Sequence, residues 1–529
     1  MTKRRRLPIG IQTFEKIAKN HSVYVDKTKF IRQLLANDGY YFLSRPRRFG
    51  KSLFVSTLDA YFSGRKELFT GLDIINDEKE MAEEEERDEW IKYPVINISF
   101  DAKNYDSVDS LKAKIVQNLK FAEEKYDCPC NEDVDVDIRF GNLIREISEK
   151  TGLPVVILID EYDKAMLQVI DNEELLDKYR NILKGFYCNL KAFDQYIKFA
   201  FITGVTKFSK VSIFSDLNNL KDISLDNRYA DICGLTKNEL MTVFKPEIEA
   251  MAEENDLTYQ ECLAKLKQRY DGYHFSSNLT DIYNPYCLLN ALDEKSFGSY
   301  WFENASPTFL IKMIRKSSFD MSRVDKGLEV SLKNIAEYRL SATDTVPMLY
   351  QSGYLTIKAY DAEYGICTLG YPNEEVQYAF KEKLVLEYTG LNDNKEYLDY
   401  MTFSRYVGKG QVEEFMTAIK AIFAHIPYPT AQKQYELDYQ TIFYLIFTLM
   451  GQIMRTEVVT FSGRIDAVCE TKDYVYLFEF KLDGTVEDAL KQIEDKDYAV
   501  GYEASGKNVV KIGVAFDTAK RNIADWKVI

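Results

Sequence analysis

The sequence is poor in histidine and proline, and each shortage excludes a class of protein. Three histidines in 529 residues, and no cysteine pair at CxxC spacing, argue against a structural zinc site. Twelve prolines and no Gly/Ser-rich tract exclude collagen-like, mucin-like and long disordered chains. The most apolar run, 442–450, is too short to span a bilayer, and no apolar signal-peptide core follows the basic N-terminus. We therefore expect no membrane insertion.

The eight cysteines are scattered along the chain, which favours reduced thiols and a cytoplasmic protein. The closest pair, Cys128 and Cys130, flanks a proline beside acidic residues, a pattern more typical of a surface loop than of a redox site.

An excess of positive charge is also lacking. The chain has 68 Lys+Arg against 83 Asp+Glu, a net charge of -15, which excludes a uniformly basic nucleic-acid coat. The first 52 residues nevertheless carry 13 Lys/Arg against three Asp/Glu, a net +10. We expect this region to attract phosphates, although the run at 3–6 alone is typical of a solvated tail.

Short apolar runs alternate with helix-period segments between residues 40 and 203, a pattern that predicts a parallel sheet with crossover helices. Four runs are the strand candidates: Tyr40–Ser44, Val95–Phe100, Val155–Ile159 and Ile197–Ile202. Residues 234–304 are predicted to be helical, with a capping box at 236–239. The segment 348–370 predicts a β-hairpin of a small winged-helix-like unit, 408–424 an amphipathic helix, and the last ninety residues a further α/β region.

A phosphate-loop candidate follows the first strand directly. It reads Arg45, Pro46, Arg47, Arg48, Phe49, Gly50, Lys51, Ser52 and is followed by helix-forming residues. In the motif GxxxxGK[ST] the backbone N–H groups face the phosphates, the lysine neutralises charge and the hydroxyl binds Mg²⁺. Arg45 stands where the motif has its first glycine. The segment predicts an ATP site.

Two carboxylates end the strand 155–159 and predict the partner of this loop. Asp160 is expected to hold Mg²⁺ through water, and Glu161 to act as the general base for the attacking water. Thr203, at the end of the neighbouring strand, is a candidate reporter of the γ-phosphate. Lys207 and Arg228 are either charge stabilisers or ordinary surface cations.

A second constellation lies near the C-terminus on two predicted adjacent strands. Glu479 and Lys481 are two residues apart and so share a face, and Asp466 arrives from the neighbouring strand. Carboxylates beside an amine can bind Mg²⁺ and position a water for phosphodiester attack. Gln492, on a helix beginning near Val486, is expected to orient Lys481 or the water. An upstream acid completes such sites, and Glu436 and Glu457 are the two candidates, of which Glu457 is the expected metal ligand. The alternative is a plain surface Glu–Lys pair.

Taken together, the chain resembles prokaryotic AAA-ATPase-like proteins with a C-terminal PD-(D/E)XK nuclease-like domain, over nearly its whole length. The segments that carry the resemblance are YVDKT at 24–28, RPRRFGKS at 45–52, IDEYD at 159–163, YDGYHF at 270–275, YNP at 283–285, GRID at 463–466 and EFK at 479–481. Arg45 fits this family's variant of the phosphate loop.

The resemblance implies an α/β multidomain protein. Its parts are an additional-strand P-loop ATPase domain at 1–233, a helical lid with a winged-helix-like unit at 234–400 and a restriction-endonuclease-like α/β domain at 401–529. The expected cofactors are ATP and Mg²⁺, with Mn²⁺ as an alternative at the nuclease site. The expected partners are nucleic acid, with DNA favoured, further copies of the chain and an unidentified protein.

Two functions are in competition at this level. The first is an ATP-regulated, metal-dependent DNA nuclease serving defence or mobile-element control. The second is a slow or non-hydrolytic ATP switch whose nuclease-like domain only binds nucleic acid or a protein. A chain that retains both motifs as relics is the weakest interpretation. The last 79 residues carry a net charge of -3, so a basic DNA groove is not expected there.

Overall fold

The computed structural model describes residues 5–36, 39–101, 104–130, 133–207, 213–214, 217–301, 308–317, 319–336, 345–389, 399–424, 435–450, 453–460, 463–503, 505–517, 519 and 522–529. The chain forms two compact units. One comprises residues 1–305 and 327–375, and the other comprises 306–326 and 376–529. The three-domain division expected from the sequence stays a prediction.

A parallel sheet with helices forms the first part of unit one. Its helices and strands are α1 (Phe14–Lys19), α2 (Lys29–Leu35), β1 (Tyr40–Ser44), α3 (Lys51–Phe62), α4 (Ile74–Glu84), β2 (Val95–Ser99), α5 (Val108–Tyr126), α6 (Val136–Thr151), β3 (Val155–Asp160), α7 (Lys164–Gln168), α8 (Glu173–Ala192), β4 (Ile197–Gly204) and β5 (Leu220–Asp222).

The strand order in this sheet is β2-β3-β4-β1-β5, and every pair is parallel. The central strands are buried almost throughout, as expected for a sheet covered by helices on both faces. All four strands predicted from apolar runs are confirmed. The carboxyl ends of β1, β3 and β4 meet at one edge, which is where an open α/β sheet binds its ligand.

Helices and a small antiparallel sheet complete unit one. The elements from residue 237 to 370 are α9 (Lys237–Val243), α10 (Lys245–Glu254), α11 (Tyr259–Tyr270), α12 (Pro285–Glu294), α13 (Thr308–Ser317), α14 (Ser322–Asp325), β6 (Leu328–Ser331), α15 (Leu332–Ala336), α16 (Thr345–Gln351), β7 (Thr356–Asp361) and β8 (Ile366–Gly370); α13 and α14 belong to unit two.

The capping box predicted at Thr236 and Glu239 is present at the start of α9. The predicted hairpin is confirmed as β7 and β8, and β6 joins it to give a sheet of order β6-β8-β7. Sequence patterning missed β6 because its four residues are too few to show an alternation.

Unit two is built around a mixed sheet of order β13-β12-β11-β10-β9. Its remaining elements are α17 (Glu374–Thr389), α18 (Tyr400–Gly408), α19 (Val412–Phe423), α20 (Tyr435–Leu449), β9 (Ile453–Thr460), β10 (Gly463–Glu470), β11 (Tyr474–Leu482), α21 (Val486–Asp495), α22 (Val500–Glu503), β12 (Asn508–Asp517) and β13 (Asn522–Val528).

The predicted helix 408–424 is wrong at its start. Gly408 ends α18, Gly410 takes a left-handed φ of 75°, and α19 begins only at Val412. Glycine tolerates that backbone at little cost, so this position favours a turn. Within the described part of the chain, no helix is both long and apolar enough to cross a membrane.

Candidate functional sites

The loop between β1 and α3 forms the first candidate site. Gly50 caps α3 with a left-handed φ of 93°, and Lys51 and Ser52 form the first turn of the helix. A helix N-terminus presents free N–H groups and a partial positive charge, both of which favour an anion. The sequence thus brings a glycine, a lysine and a hydroxyl to a place suited to phosphate.

Lys51 is buried inside this loop. Its Nζ donates to the carbonyl oxygens of Arg45 and Pro46, at 2.9 Å each. Burial lowers the pKa of Lys51, while the nearby carboxylates of Asp160 and Glu161 oppose that shift. The ammonium therefore lies between the loop and the two acids that end β3.

Asp160 and Glu161 occupy the carboxyl end of β3, as predicted. Burial raises the pKa of Asp160, and a hydrogen bond with Ser52 and the charge of Lys51 act against that rise. Glu161 has a left-handed φ of 53°, and its N–H donates to Asp160 Oδ1 at 3.0 Å. A hydroxyl beside a buried carboxylate is a suitable ligand pair for Mg²⁺, so these residues fit the expected ion.

Two neighbouring residues, to which sequence reasoning gave no role, fix the segment after β3. Lys164 Nζ lies 2.7 Å from Glu161 Oε2 and also pairs with Asp101. Asp163 is fully buried and accepts hydrogen bonds from the N–H of Val205 at 3.1 Å and of Thr206 at 2.6 Å. The acidic run at 160–163 was the available signal in the sequence. The partners could not be predicted, because they lie in the segments that follow β4 and β2 and are distant in sequence.

A cleft of about 510 Å³ opens at this edge of the sheet. Six of the predicted nucleotide-site residues line it: Arg47, Arg48, Gly50, Lys51, Ser52 and Glu161. Its other walls include residues of the N-terminal segment 8–12, of the segment 163–167, and Pro285, Tyr286 and Leu289 of α12. These walls could not be predicted from the sequence, because only tertiary packing brings them to the loop.

A smaller apolar pocket of about 100 Å³ shares Pro8, Gly50, Leu53, Pro285 and Leu289 with the cleft. Its remaining walls are mostly apolar and include Val23, Tyr24, Val25, Phe49, Phe54, Ile232, Cys233, Leu235 and Phe244. The phosphate loop is thus flanked on one side by a mostly apolar pocket of a kind that suits a flat apolar group.

The Arg45 side chain is turned away from the cleft. Its guanidinium donates to the carbonyls of Ser44, Ser224 and Tyr229 at 2.7 to 2.9 Å and lies 4.4 Å from the Phe275 ring. Phe49 likewise packs on Tyr273 and Phe275. The Arg45 guanidinium and the Phe49 ring, both predicted in the nucleotide site, anchor the loop to the segment 270–275. Phe49 also lines the apolar pocket, and Arg45 and Pro46 offer their carbonyls to Lys51.

Thr203 is completely buried in β4, opposite Leu43 of β1, and no described residue hydrogen-bonds its Oγ1. The two candidate charge stabilisers lie in ion pairs. Lys207 pairs with Asp222, and Arg228 pairs with Asp226 at 2.6 Å. Neither of these cations is among the residues that line the cleft.

The second candidate site lies on β10 and β11, which pair antiparallel as predicted. Asp466 Oδ2 accepts the N–H of Phe480 at 2.8 Å, which fixes this carboxylate beside β11. On the other side, β12 runs parallel to β11 and places Gly513 opposite Glu479. A Cβ at Gly513 would come within 2.7 Å of the Val486 carbonyl, so the glycine permits α21 to lie close on the sheet.

Glu479 is 1% exposed, and its Oε2 has no hydrogen-bond partner among the described residues. Burial raises its pKa to about 7, and the neighbouring charge of Asp466 adds to the rise. An unpartnered buried oxygen is costly unless something binds it. Two close carboxyl groups with such an oxygen fit a divalent cation.

Lys481 lies on the same face of β11 as Glu479. Its Nζ is 3.3 Å from Glu479 Oε1 and donates to Gln492 Oε1 of α21 at 2.6 Å. The structure therefore brings Asp466, Glu479, Lys481 and Gln492 together on one face. Because Glu479 is buried, the pair is not a plain surface ion pair.

The upstream acid stays undecided. Glu457 lies in β9 and Glu436 in α20, and both side chains are outside the described residues. Across the described side chains, no group of three His, Cys, Asp or Glu residues could hold a metal ion. At this site, Asp466 and Glu479 supply two carboxylates.

Two family models match the chain. Residues 8–214 match a predicted AAA-ATPase, and residues 434–526 match the PD-(D/E)XK nuclease superfamily. A protein of Azotobacter chroococcum mcd 1, described as an uncharacterized protein in the vnfD 5′ region, is 34% identical in an alignment of 540 positions. The alignment covers 99% of each chain.

Two solved structures show weak overall likeness. The Aeropyrum pernix ORC2 protein is 10% identical over 68% of this chain and 90% of its own, with a TM-score of 0.29. CDC6P from Pyrobaculum aerophilum is 11% identical over the same shares, with a TM-score of 0.22. Nothing about function follows from likeness at this level.

Proposed function

Because the chain belongs to the family of predicted AAA-ATPases that carry a C-terminal PD-(D/E)XK nuclease domain, we propose that it is an ATP-regulated, metal-dependent nuclease. DNA is the favoured substrate, and defence or mobile-element control the favoured setting. The observation that carries the proposal is the buried pair of Asp466 and Glu479, whose unpartnered oxygen lies beside an ammonium held by Gln492.

In the ATPase-like domain, Lys51 neutralises phosphate charge, and Ser52 with Asp160 holds Mg²⁺. The apolar pocket beside the loop receives the base, since its walls are mostly apolar. Glu161 accepts the proton of the attacking water, and Thr203 contributes a buried hydroxyl near the end of β4.

In the nuclease-like domain, Asp466 and Glu479 hold the divalent ion, with Glu457 as the proposed third ligand. A bound Mg²⁺ or Mn²⁺ would polarise a phosphodiester and lower the pKa of a water. Lys481 places a positive charge at the same face, and Gln492 fixes the direction of its ammonium. These two residues orient the attacking water or stabilise the phosphate charge.

A slow ATP switch is the second candidate, and one contact favours it. Glu161 is held by Lys164 at 2.7 Å, so the proposed general base is already occupied. In that case ATP binding alone sets the state of the protein, and the nuclease-like domain binds nucleic acid or another protein.

The partners and the compartment belong to the same proposal. Because the last 79 residues carry a net charge of -3, contacts to DNA come from the basic N-terminal region, from the winged-helix-like sheet or from further copies of the chain. All eight cysteines are free in the structure, as a cytoplasmic location requires.

The test uses the purified full chain with Mg²⁺ or Mn²⁺, single- or double-stranded DNA, and ATP, ADP or no nucleotide. We expect cutting that depends on the metal and on ATP. Lys481→Ala should abolish cutting, and Lys51→Ala should abolish its dependence on ATP.

A matched control is Lys472→Ala, in the exposed turn between β10 and β11. This variant also loses one lysine of the same sheet and should cut like the wild type. Equal cutting by Lys481→Ala would trace the activity to a contaminant and refute the nuclease. ATP binding without any cutting would favour the switch.

A further inference from the structure

Arg48 is the residue of the phosphate loop whose backbone is least suited to its side chain. It has a left-handed φ of 68° and lies between Arg47 and Phe49 at the tip of the loop. A residue with a Cβ pays about 1 kcal/mol for that conformation, which glycine would adopt freely. Strain of this kind collects at ligand-binding loops. The strained backbone therefore points to a function of the Arg48 side chain.

The Arg48 guanidinium lies over the ring of Tyr286, with its central carbon 3.8 Å from the ring centroid. Tyr286 is in the first turn of α12, which begins firmly. Asn284 caps the helix by accepting the N–H of Cys287, and Pro285 occupies the first turn. Arg48 and Tyr286 both line the cleft, together with Lys51 and Ser52. One contact thus joins the phosphate loop to α12 inside the proposed ATP site.

The other cations of the cleft are differently placed. Lys51 is held by two carbonyls of its own loop, and Lys164 is neutralised by Glu161 and Asp101. Arg47 is exposed. Among the described residues, no carboxylate forms an ion pair with Arg48. Its charge is therefore held in a fixed place and remains available to an anion.

A guanidinium is planar, so it can stack on a ring with its face and donate from its edge at the same time. We propose that Arg48, held over the ring of Tyr286, reads the length of the phosphate chain. It is a specificity-determining residue that favours a nucleoside triphosphate over a diphosphate. The proposal rests on the nucleotide site proposed above and gives Arg48 a specific role in it.

The experiment measures the dissociation constants of ATP and ADP for the full chain, by displacement of a fluorescent ATP analogue in the presence of Mg²⁺. The quantity of interest is the ratio of the ADP constant to the ATP constant. Arg48→Gly keeps the left-handed backbone and removes the guanidinium, so it should lower this ratio by about tenfold. Arg48→Lys keeps the charge but loses the planar fork, and should recover only part of the ratio.

Variants of the ring separate stacking from folding. Tyr286→Phe keeps the aromatic face and should keep the ratio, whereas Tyr286→Ala should lower it. The double variant Arg48→Gly/Tyr286→Ala should be no worse than Arg48→Gly alone, because the two residues act as one unit.

Arg47→Ala is the charge-matched comparison, since it removes a neighbouring arginine of the same cleft. It should weaken the binding of ATP and of ADP by the same factor, and its effect on binding should add to the effect of Tyr286→Ala. An unchanged ratio in Arg48→Gly, with a wild-type unfolding temperature, would overturn the inference and leave the ATP site standing. Failure of the wild-type chain to bind either nucleotide would overturn both.

Discussion

Lys164 Nζ lies 2.7 Å from Glu161 Oε2 and also contacts Asp101. Glu161 is the proposed general base, so its oxygen is engaged by a cation that lines the cleft but lies outside the phosphate loop. The ion pair bridges the segment after β3 to the segment after β2. We therefore expect that hydrolysis requires this pair to open.

Removing the lysine should speed hydrolysis. Lys164→Ala frees the Glu161 carboxylate to take a proton from water, and we expect the basal ATPase rate to rise by about tenfold. The measurement is phosphate release at saturating ATP. Lys178→Ala, which breaks an exposed pair with Glu174 on α8, is the control and should not change the rate. A rate that falls in Lys164→Ala would show that the lysine helps catalysis.

The acid at the end of β3 should affect turnover without affecting binding. Glu161→Gln keeps the size and the backbone of this position but cannot accept the proton. The ATPase rate should fall by about a hundredfold or more, while the affinity for ATP stays within about twofold. Equal loss of affinity and rate would assign Glu161 to binding.

The pH dependence of stability should carry the signature of Glu479. Its pKa is raised from 4.5 to about 7, because burial and Asp466 disfavour the carboxylate. The metal-free folded chain therefore binds more protons than the unfolded chain between these two values. Its stability falls as the pH rises through this window, by about 3 kcal/mol at most.

Glu479→Gln should remove that fall, which thermal unfolding at about pH 5 and about pH 8 would measure. Mn²⁺ should raise the unfolding temperature of the wild type more at the higher pH, since the ion competes with the proton. A variant with the same pH dependence as the wild type would contradict the assignment.

The buried arginine of the phosphate loop should matter for folding. Arg45→Ala removes a side-chain donor from three carbonyls, two of them in buried hydrogen bonds, and we expect a loss of about 3 kcal/mol in the free energy of unfolding. Arg45→Lys should lose nearly as much, because one ammonium cannot span the three acceptors. Urea unfolding would measure both. The exposed Arg47→Ala should stay within about 0.5 kcal/mol of the wild type.

The parts of the two candidate sites that depend on residues close in sequence could be predicted from the sequence. Asp160 and Glu161 follow an apolar strand directly, and Glu479 and Lys481 share a face through the simple alternation of a strand. The role of Gln492 beside Lys481 could be predicted because α21 begins only a few residues after β11. Apolar runs also located the four strands of the first sheet, since buried parallel strands need continuous apolar residues.

What the sequence could not supply depends on packing between distant segments. Tyr286 and the segment 8–12 reach the cleft only through tertiary packing. Arg45 donates to backbone carbonyls of Ser224 and Tyr229, and no sequence pattern predicts these contacts. Gly410 broke a helix that the apolar spacing continued. The extra strand β6 was invisible because it is short.

Each of the two units is made of two separate segments of the chain, which limits what a shortened gene can encode. Unit one takes residues 1–305 and 327–375, and unit two takes 306–326 and 376–529, so the polypeptide changes unit at three places. A single break at any position leaves at least one unit incomplete. A shortened gene cannot encode one whole unit without part of the other. A deletion that removes the carboxylate pair and spares the nucleotide cleft therefore leaves residues 306–326 of unit two without the rest of that unit.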